Sequence, residues 1–422
     1  MLYALHEAAY GLATPLRLSA ELTRDFWRSP LNPAGGTDLG RRLYATAELT
    51  ANMTRRYGRP DWRLDSVEID GSPVRVRCET PWSSPFMRLR KFVRDPDDLA
   101  AAGQQPSHTA VLILAPLSGH YATLLRGTVR TFLQNHDVYI TDWANARDVP
   151  IWEGRFGLAD YTDAIGDALR VIGRRAHVVA VCQPGPAALA QSAMMDEDSE
   201  PLRPASLTLM GSPIDARLAP TAVNDLAEAR PFAWFASNMI DTVPFPWPGM
   251  ARRVYPGFVQ LYSFLQMNAD AHQEAHSRYF DHLVAGDGDS ADRHREFYDE
   301  YLSVLDLTEE FYLETIDVVF QRHLLPRGEF FHRGRRVDLG QLRDVGLMTV
   351  EGENDDISGV GQTQAAHALC PNVADNRREL WVQPGVGHYG VFNGRRFGAE
   401  IYPRVLGFID RCEAAARGSA AG

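Results

Sequence analysis

Through the middle of the chain, short apolar runs alternate with helical patterns. Residues 111–115 (Val-Leu-Ile-Leu-Ala), 138–141 (Val-Tyr-Ile-Thr), 178–181 (Val-Val-Ala-Val) and 207–210 (Leu-Thr-Leu-Met) each have the length of a strand. Runs this short, apolar with little alternation, read as strands covered on both faces. Between them the pattern turns helical, at 122–135 and again at 161–172, where Ile165, Leu169 and Ile172 share one face. This alternation predicts an α/β fold with a mostly parallel central sheet flanked by helices. The rhythm stops after Met210. It resumes with a strand at 346–350, a helix at 361–369, a last strand at 379–382 and a C-terminal helix near 404–416.

The interruption, residues 214–342, is rich in aromatic residues and its second half predicts long helices, as expected of an inserted, mainly helical cap. Ahead of the sheet, residues 67–76 alternate around Asp70-Gly71, a strong hairpin signal, and 86–93 add a candidate strand. Residues 1–58 are loosely amphipathic, with Tyr3, His6, Tyr10, Leu16, Leu18, Leu22 and Phe26 recurring along a helical segment. Such a segment either packs on the domain or contacts a lipid or polymer surface. The organisation expected is therefore an N-terminal helical segment (1–58), a core in two pieces (59–213 and 343–422) and a cap or lid (214–342).

At 422 residues and 45% hydrophobic content, the chain can bury a large core. A formal charge of −11 argues against nucleic acid as the main partner. No window approaches the roughly 18 apolar residues of a membrane span, and the first residues lack the basic and apolar regions of a secretory signal, so an integral membrane protein is not expected. The four cysteines (78, 182, 370 and 412) are widely spaced and form neither a zinc pattern nor a disulfide framework. Reduced thiols in the cytoplasm, with no metal, are the expectation.

One of those cysteines stands where chemistry is done. Cys182 follows the 178–181 strand, and Gly185-Pro186 open an Ala-rich helix after it. A nucleophile on such a strand-to-helix turn sits at the carboxyl edge of a sheet, facing the N–H groups of a helix start. Serine enzymes carry Gly-x-Ser-x-Gly here, and this chain has Ala180-Val181-Cys182-Gln183-Pro184. A lone cysteine at a strand end is more often an inert core residue. Order along the chain changes that reading. An acidic cluster, Glu353-Asn354-Asp355-Asp356, follows the 346–350 strand, and Gly387-His388-Tyr389-Gly390 follows the last strand. Nucleophile, acid, histidine is the chain order of the α/β-hydrolases. Cys182 would attack an acyl carbonyl, His388 would take and return its proton, and Asp355 would orient the imidazole. Glu353 and Asp356 compete for the acid role. Asp355 is preferred because Gly352-x-x-Asp355-x-Ile357 has the spacing usual for that acid. The oxyanion donors expected are the backbone N–H of Gln183 and that of Leu117 or Ser118, in the loop after the 111–115 strand. His120, Tyr121, Trp247 and Tyr389 are candidate substrate contacts.

Val181-Cys182-Gln183-Pro184, Gly352-Glu353-Asn354-Asp355-Asp356-Ile357 and Gly387-His388-Tyr389-Gly390 together resemble the intracellular poly(3-hydroxybutyrate) (polyhydroxyalkanoate) depolymerases, and the likeness extends over most of the chain. The resemblance implies an α/β-hydrolase fold, a cysteine nucleophile, no cofactor, and hydrolysis of a storage polyester at a granule surface in the cytoplasm. Cys182, Asp355 and His388 carry over residue by residue. The polyhydroxyalkanoate synthases, also similar, usually show Gly-x-Cys-x-Gly at the elbow, from which Ala180 and Pro184 depart. An acyl-CoA thioesterase and a non-catalytic granule-coat protein are the other readings. The sequence leaves oligomeric state open, a homodimer included.

Overall fold

The computed structural model describes residues 2–107, 109–267 and 269–420. Nine strands form one sheet: β1 (Ser66–Ile69), β2 (Ser72–Ser83), β3 (Met87–Arg94), β4 (Ala110–Leu114), β5 (Asp137–Trp143), β6 (Ala176–Val181), β7 (Ser206–Met210), β8 (Gly346–Gly352) and β9 (Arg378–Gln383). Their spatial order is β1-β2-β3-β5-β4-β6-β7-β8-β9. From β5 to β9 all neighbours are parallel, whereas β1, β2 and β3 join in antiparallel register. The β1–β2 turn is the Asp70-Gly71 pair, with both residues at positive φ (48° and 78°), as a two-residue hairpin of this twist requires. The fold is that of the α/β-hydrolases: a mostly parallel sheet whose central strands β4, β6 and β7 are buried throughout.

Helices cover both faces. Helices 158–172 and 185–197 pack together on one, where Gly166 lies against Gln191. On the other, Phe132 of helix Arg126–Phe132 meets Tyr402 of the C-terminal helix edge to face at 5.0 Å. The helix predicted at 361–369 is shorter, Ala365–Leu369. The cause is Glu351, fully buried on β8: its carboxylate accepts from the N–H groups of Gly361, Thr363 and Gln364 at 2.7–3.0 Å and holds that stretch as a turn.

Among the described residues, 214–342 contribute no strand to the large sheet. They form helices above its carboxyl edge and two small sheets of their own (241–308 and 331–336). The N-terminal segment is a helical pair, α1 (Leu2–Arg28) and α2 (Asp38–Thr54). It rests on the inserted region and not on the large sheet: Ala45 of α2 clusters with Tyr279, Leu283 and Ala291. Tyr3 adds two polar anchors, its N–H to Asp241 (2.9 Å) and its hydroxyl to buried Asp306. No described helix is long and apolar enough to cross a membrane.

Candidate active site

β6 ends in Val181, and the chain reverses at once into helix Gly185–Glu197. Cys182, between them, has φ +65°, a left-handed conformation that costs a side-chain-bearing residue energy and persists only where its surroundings impose it. Two constraints impose it. The Cys182 N–H donates to Met210 O at the end of β7 (2.7 Å), and Cys182 O accepts from the Gly185 N–H (3.1 Å). Residue 185 must be glycine, since a Cβ there would lie 2.4 Å from the Ser212 side chain. The sulfur is thereby held at the carboxyl edge of the sheet, half-buried, with a thirteen-residue helix starting beneath it.

Asp355 sits in the turn after β8. Its Oδ1 accepts from the N–H groups of Ile357 (2.9 Å) and Ser358 (2.8 Å), and its Oδ2 accepts from His388 Nδ1 (2.8 Å). The two competing acids point elsewhere: Glu353 and Asp356 are exposed, and Glu353 accepts from the Gly385 N–H (2.8 Å). His388 lies in the loop after β9, 5% exposed, and its imidazole also hydrogen-bonds the Cys182 side chain. Burial works against a charge on the ring. Negative charge on Cys182 and the ring's hydrogen bonds to Asp355 and Cys182 outweigh it, and the pKa of His388 is pushed up to about 10. Nothing in the sequence reading pointed to Gly211, after β7. Its φ is +54°, and a Cβ there would lie 3.1 Å from His388 Cε1 and 3.2 Å from Asp355 Oδ2. The acid–histidine pair is packed on bare backbone, and the turn Gly211-Ser212-Pro213 was the only sequence mark of it.

The loop after β4 comes over this centre. The Leu117 N–H donates to the side-chain oxygen of Gln183 (3.1 Å). Ser118 lines the same cavity, and its carbonyl oxygen accepts from Gln260 Nε2 of helix Gly257–Met267. His120 is also in the lining. Its Nε2–H donates to Tyr301 O (3.0 Å), and burial lowers its pKa to about 4, so it is a neutral ring. Tyr389 lines the cavity beside His388, with ring centres 6.0 Å apart. Tyr121 and Trp247 are not part of the lining. Tyr121 is buried, with its hydroxyl accepting from Asn145 Nδ2 (3.2 Å), and Trp247 is half-buried under the Arg147 guanidinium at 4.2 Å.

The cavity measures about 420 Å³ and reaches from Cys182 and His388 into the inserted region. Its far walls come from Leu226, Trp234, Phe235, Tyr312, Ile316 and Phe320, none of which the sequence singled out for substrate. Sequence periodicity cannot tell such rings from ordinary core. The centre so built has a thiol bonded to a histidine, a buried carboxylate orienting that histidine, backbone N–H groups at a helix start, and an apolar chamber for an acyl chain. That set is equipped for acyl transfer.

No curated protein matches the chain. Among solved structures it is similar to a thermophilic esterase from Thermogutta terrifontis (13% identity, covering 79% of this chain and 99% of that one, TM-score 0.43). It is also similar to a monoacylglycerol lipase from Paleococcus ferrophilus (10% identity, 72% and 96% covered, TM-score 0.42). A third is a meta-cleavage product hydrolase from Pseudomonas fluorescens (14% identity, 83% and 97% covered, TM-score 0.41). The family model described as "PHB de-polymerase C-terminus" matches residues 211–413, a span that takes in the inserted region, Asp355 and His388. Through those residues, on an α/β-hydrolase sheet, the chain is similar to the PHB depolymerase family.

Proposed function

We propose that the chain hydrolyses poly(3-hydroxybutyrate), a storage polyester, to 3-hydroxybutyrate or its short oligomers by way of an acyl-cysteine. The observation that carries this reading is His388, hydrogen-bonded to both Asp355 and Cys182 at one end of an apolar cavity. In the proposed cycle, His388 holds the proton of the Cys182 thiol. The sulfur adds to an ester carbonyl, and the oxyanion so formed is held by the backbone N–H groups of Gln183 and Leu117. The carbon–oxygen bond then breaks, and His388 gives its proton to the departing alkoxide, releasing a chain with a free hydroxyl. Water, losing a proton to His388, attacks the thioester. The 3-hydroxy acid leaves and the thiol is restored. Asp355 keeps the Nδ1–H of His388 in place throughout.

The chamber suits such a substrate. A polyester repeat carries hydrogen-bond acceptors and alkyl groups but no donor, and the cap-side walls are mostly alkyl and aromatic. In this reading residues 59–213 and 343–422 form the hydrolase core, 214–342 the cap and 1–58 a helical segment carried on the cap. The enzyme works in the cytoplasm on amorphous granules. The test is acid release from amorphous poly(3-hydroxybutyrate) granules by the wild type, Cys182→Ala and His388→Ala. Release by the wild type and its loss in both folded variants is expected. No release by folded wild type would sink the polyester reading.

A further inference from the structure

We infer that the Gln183 side chain is a built-in stopper of the oxyanion hole, holding at rest the Leu117 N–H that the substrate's carbonyl oxygen must take. The inference rests on the proposed role of Cys182 as nucleophile. Gln183 is the residue after Cys182, and both line the catalytic cavity with Leu117. Its backbone N–H has no acceptor among the described residues, as an open oxyanion donor should. The second donor is not open. Leu117 N–H points at Gln183 Oε1, 3.1 Å away. The orientation of the amide follows from chemistry, because a backbone N–H can only donate and the atom it meets must be the oxygen.

The carboxamide oxygen and an ester carbonyl oxygen are the same kind of acceptor. A substrate can therefore replace Gln183 on Leu117 N–H one for one, with that N–H paired at both stages. An unfilled donor in an apolar chamber is costly, and the stopper removes that cost at Leu117 between turnovers. Only the side chain has to move. The loop that carries Leu117 is tied from outside: Ser118 O accepts from Gln260 Nε2, Gly119 O accepts from the Leu305 N–H (2.7 Å), and His120 donates to Tyr301 O. The Gln183 backbone is fixed by the elbow, where Cys182 N–H is bonded to Met210 O. The Gln183 side chain, with its rotatable bonds, is the one free element.

The stopper competes with substrate, so apparent affinity falls by the fraction of time the hole is closed. The test uses the full chain and a soluble p-nitrophenyl ester of 3-hydroxybutyrate, for wild type, Gln183→Ala and Gln183→Glu, with kcat and KM separated. Gln183→Ala is expected to raise kcat/KM by about 2- to 10-fold, mainly through KM, as removal of one competing hydrogen bond implies. Gln183→Glu should lower it by about 10-fold or more at pH 7, because a carboxylate holds the N–H more firmly and repels the oxyanion. That loss should reverse as the pH falls into the carboxylic acid range, a limb the wild type lacks. Wild-type turnover with Gln183→Ala unchanged, or with both variants reduced at every pH, would overturn the stopper. The second of those results would make the side chain an oxyanion donor through Nε2. If Gln183→Ala fails to fold, the pH limb of Gln183→Glu decides alone. A folded wild type that turns over no ester takes down the Cys182 reading first and the stopper with it.

Discussion

Strand β6 carries a histidine near its start and a cysteine just past its end, and each belongs to a set of histidine, acid and hydroxyl or thiol. At the start, His177 Nδ1 is bonded to Ser206 Oγ (2.7 Å) and Nε2 to Glu413 Oε1 (2.9 Å). At the end, His388 Nδ1 is bonded to Asp355 (2.8 Å) and the ring also to Cys182. The histidine–acid distances of the two sets, 2.9 and 2.8 Å, do not tell them apart. They differ in everything around them. His177 and Ser206 are fully buried in the ladder between β6 and β7, and neither lines the catalytic cavity. Cys182 sits at φ +65° on a turn, at a helix start, beside the open backbone N–H of Gln183 and a chamber of about 420 Å³. A catalytic reading needs that surrounding, because a nucleophile without room for substrate or donors for an oxyanion does no chemistry.

The largest effect that would break the contrast is at the two nucleophile-like atoms. Cys182→Ala is expected to lower ester turnover by about 10⁴-fold or more, while Ser206→Ala leaves it within about twofold. Equal losses, measured on the same soluble ester, would erase the distinction. Asp355→Asn comes next, with a loss of about 10³- to 10⁴-fold in kcat, since the amide no longer fixes the imidazole tautomer or balances its charge. It should also move the pH profile. In the proposed cycle a proton on His388 is needed for the departing alcohol, and its pKa of about 10 puts the alkaline limb of kcat/KM there, not near 6.5. Removing the Asp355 carboxylate shifts that limb down. The same group contributes to stability with a definite sign. Raised above its unfolded value of 6.5, His388 stabilises the fold fully below that pH, and the contribution is lost as the pH climbs through about 10. An alkaline limb near 6.5 in the wild type would contradict the charged state assigned to the ring. Gly211→Ala is a smaller perturbation at the same end of the sheet. A Cβ at φ +54°, against the His388 ring, should lower kcat by roughly 10-fold and stability by about 1–2 kcal/mol. Thermal melting and kcat on one preparation measure both.

Much of the candidate site's placement was legible because it is written locally. A four-residue apolar run, a turn residue and an Ala-rich start gave the elbow, and the spacing from Gly352 to Ile357 selected Asp355 over two acid neighbours. The contacts of Asp355 with the Ile357 and Ser358 N–H groups are the physical form of that spacing. What was not legible depends on distant segments. Gly211 supports the acid–histidine pair from another strand. Glu351, buried on β8, takes N–H groups that would otherwise have extended a helix back to 361. The N-terminal helices show an amphipathic pattern, but nothing in it said that their partner was the inserted region and not the sheet. Trp247 was a candidate substrate contact, yet the cavity takes its aromatic walls from residues such as Trp234 and Tyr312. His177 was invisible as a paired group, since Ser206 and Glu413 lie 29 and 236 residues away.

His177 also supplies the finest test, where the expected change in activity is close to none. Replacing it with leucine removes the partner of two groups. Glu413 is 32% exposed and can turn to water, but Ser206 is fully buried and would keep an unpaired hydroxyl. That loss is partly offset, because leucine suits a strand whose neighbours Val178, Val179 and Ala180 are buried and apolar. The net cost should be about 1–2 kcal/mol in a urea unfolding titration, with kcat within about twofold of wild type. The double variant His177→Leu, Ser206→Ala sharpens it: with both polar partners gone the stability should recover in part, because no buried hydroxyl is left unsatisfied. A drop in kcat of tenfold or more at unchanged stability would mean that the start of β6 shapes the elbow at its end. The two sets would then be one coupled unit instead of a catalytic centre and a structural clasp.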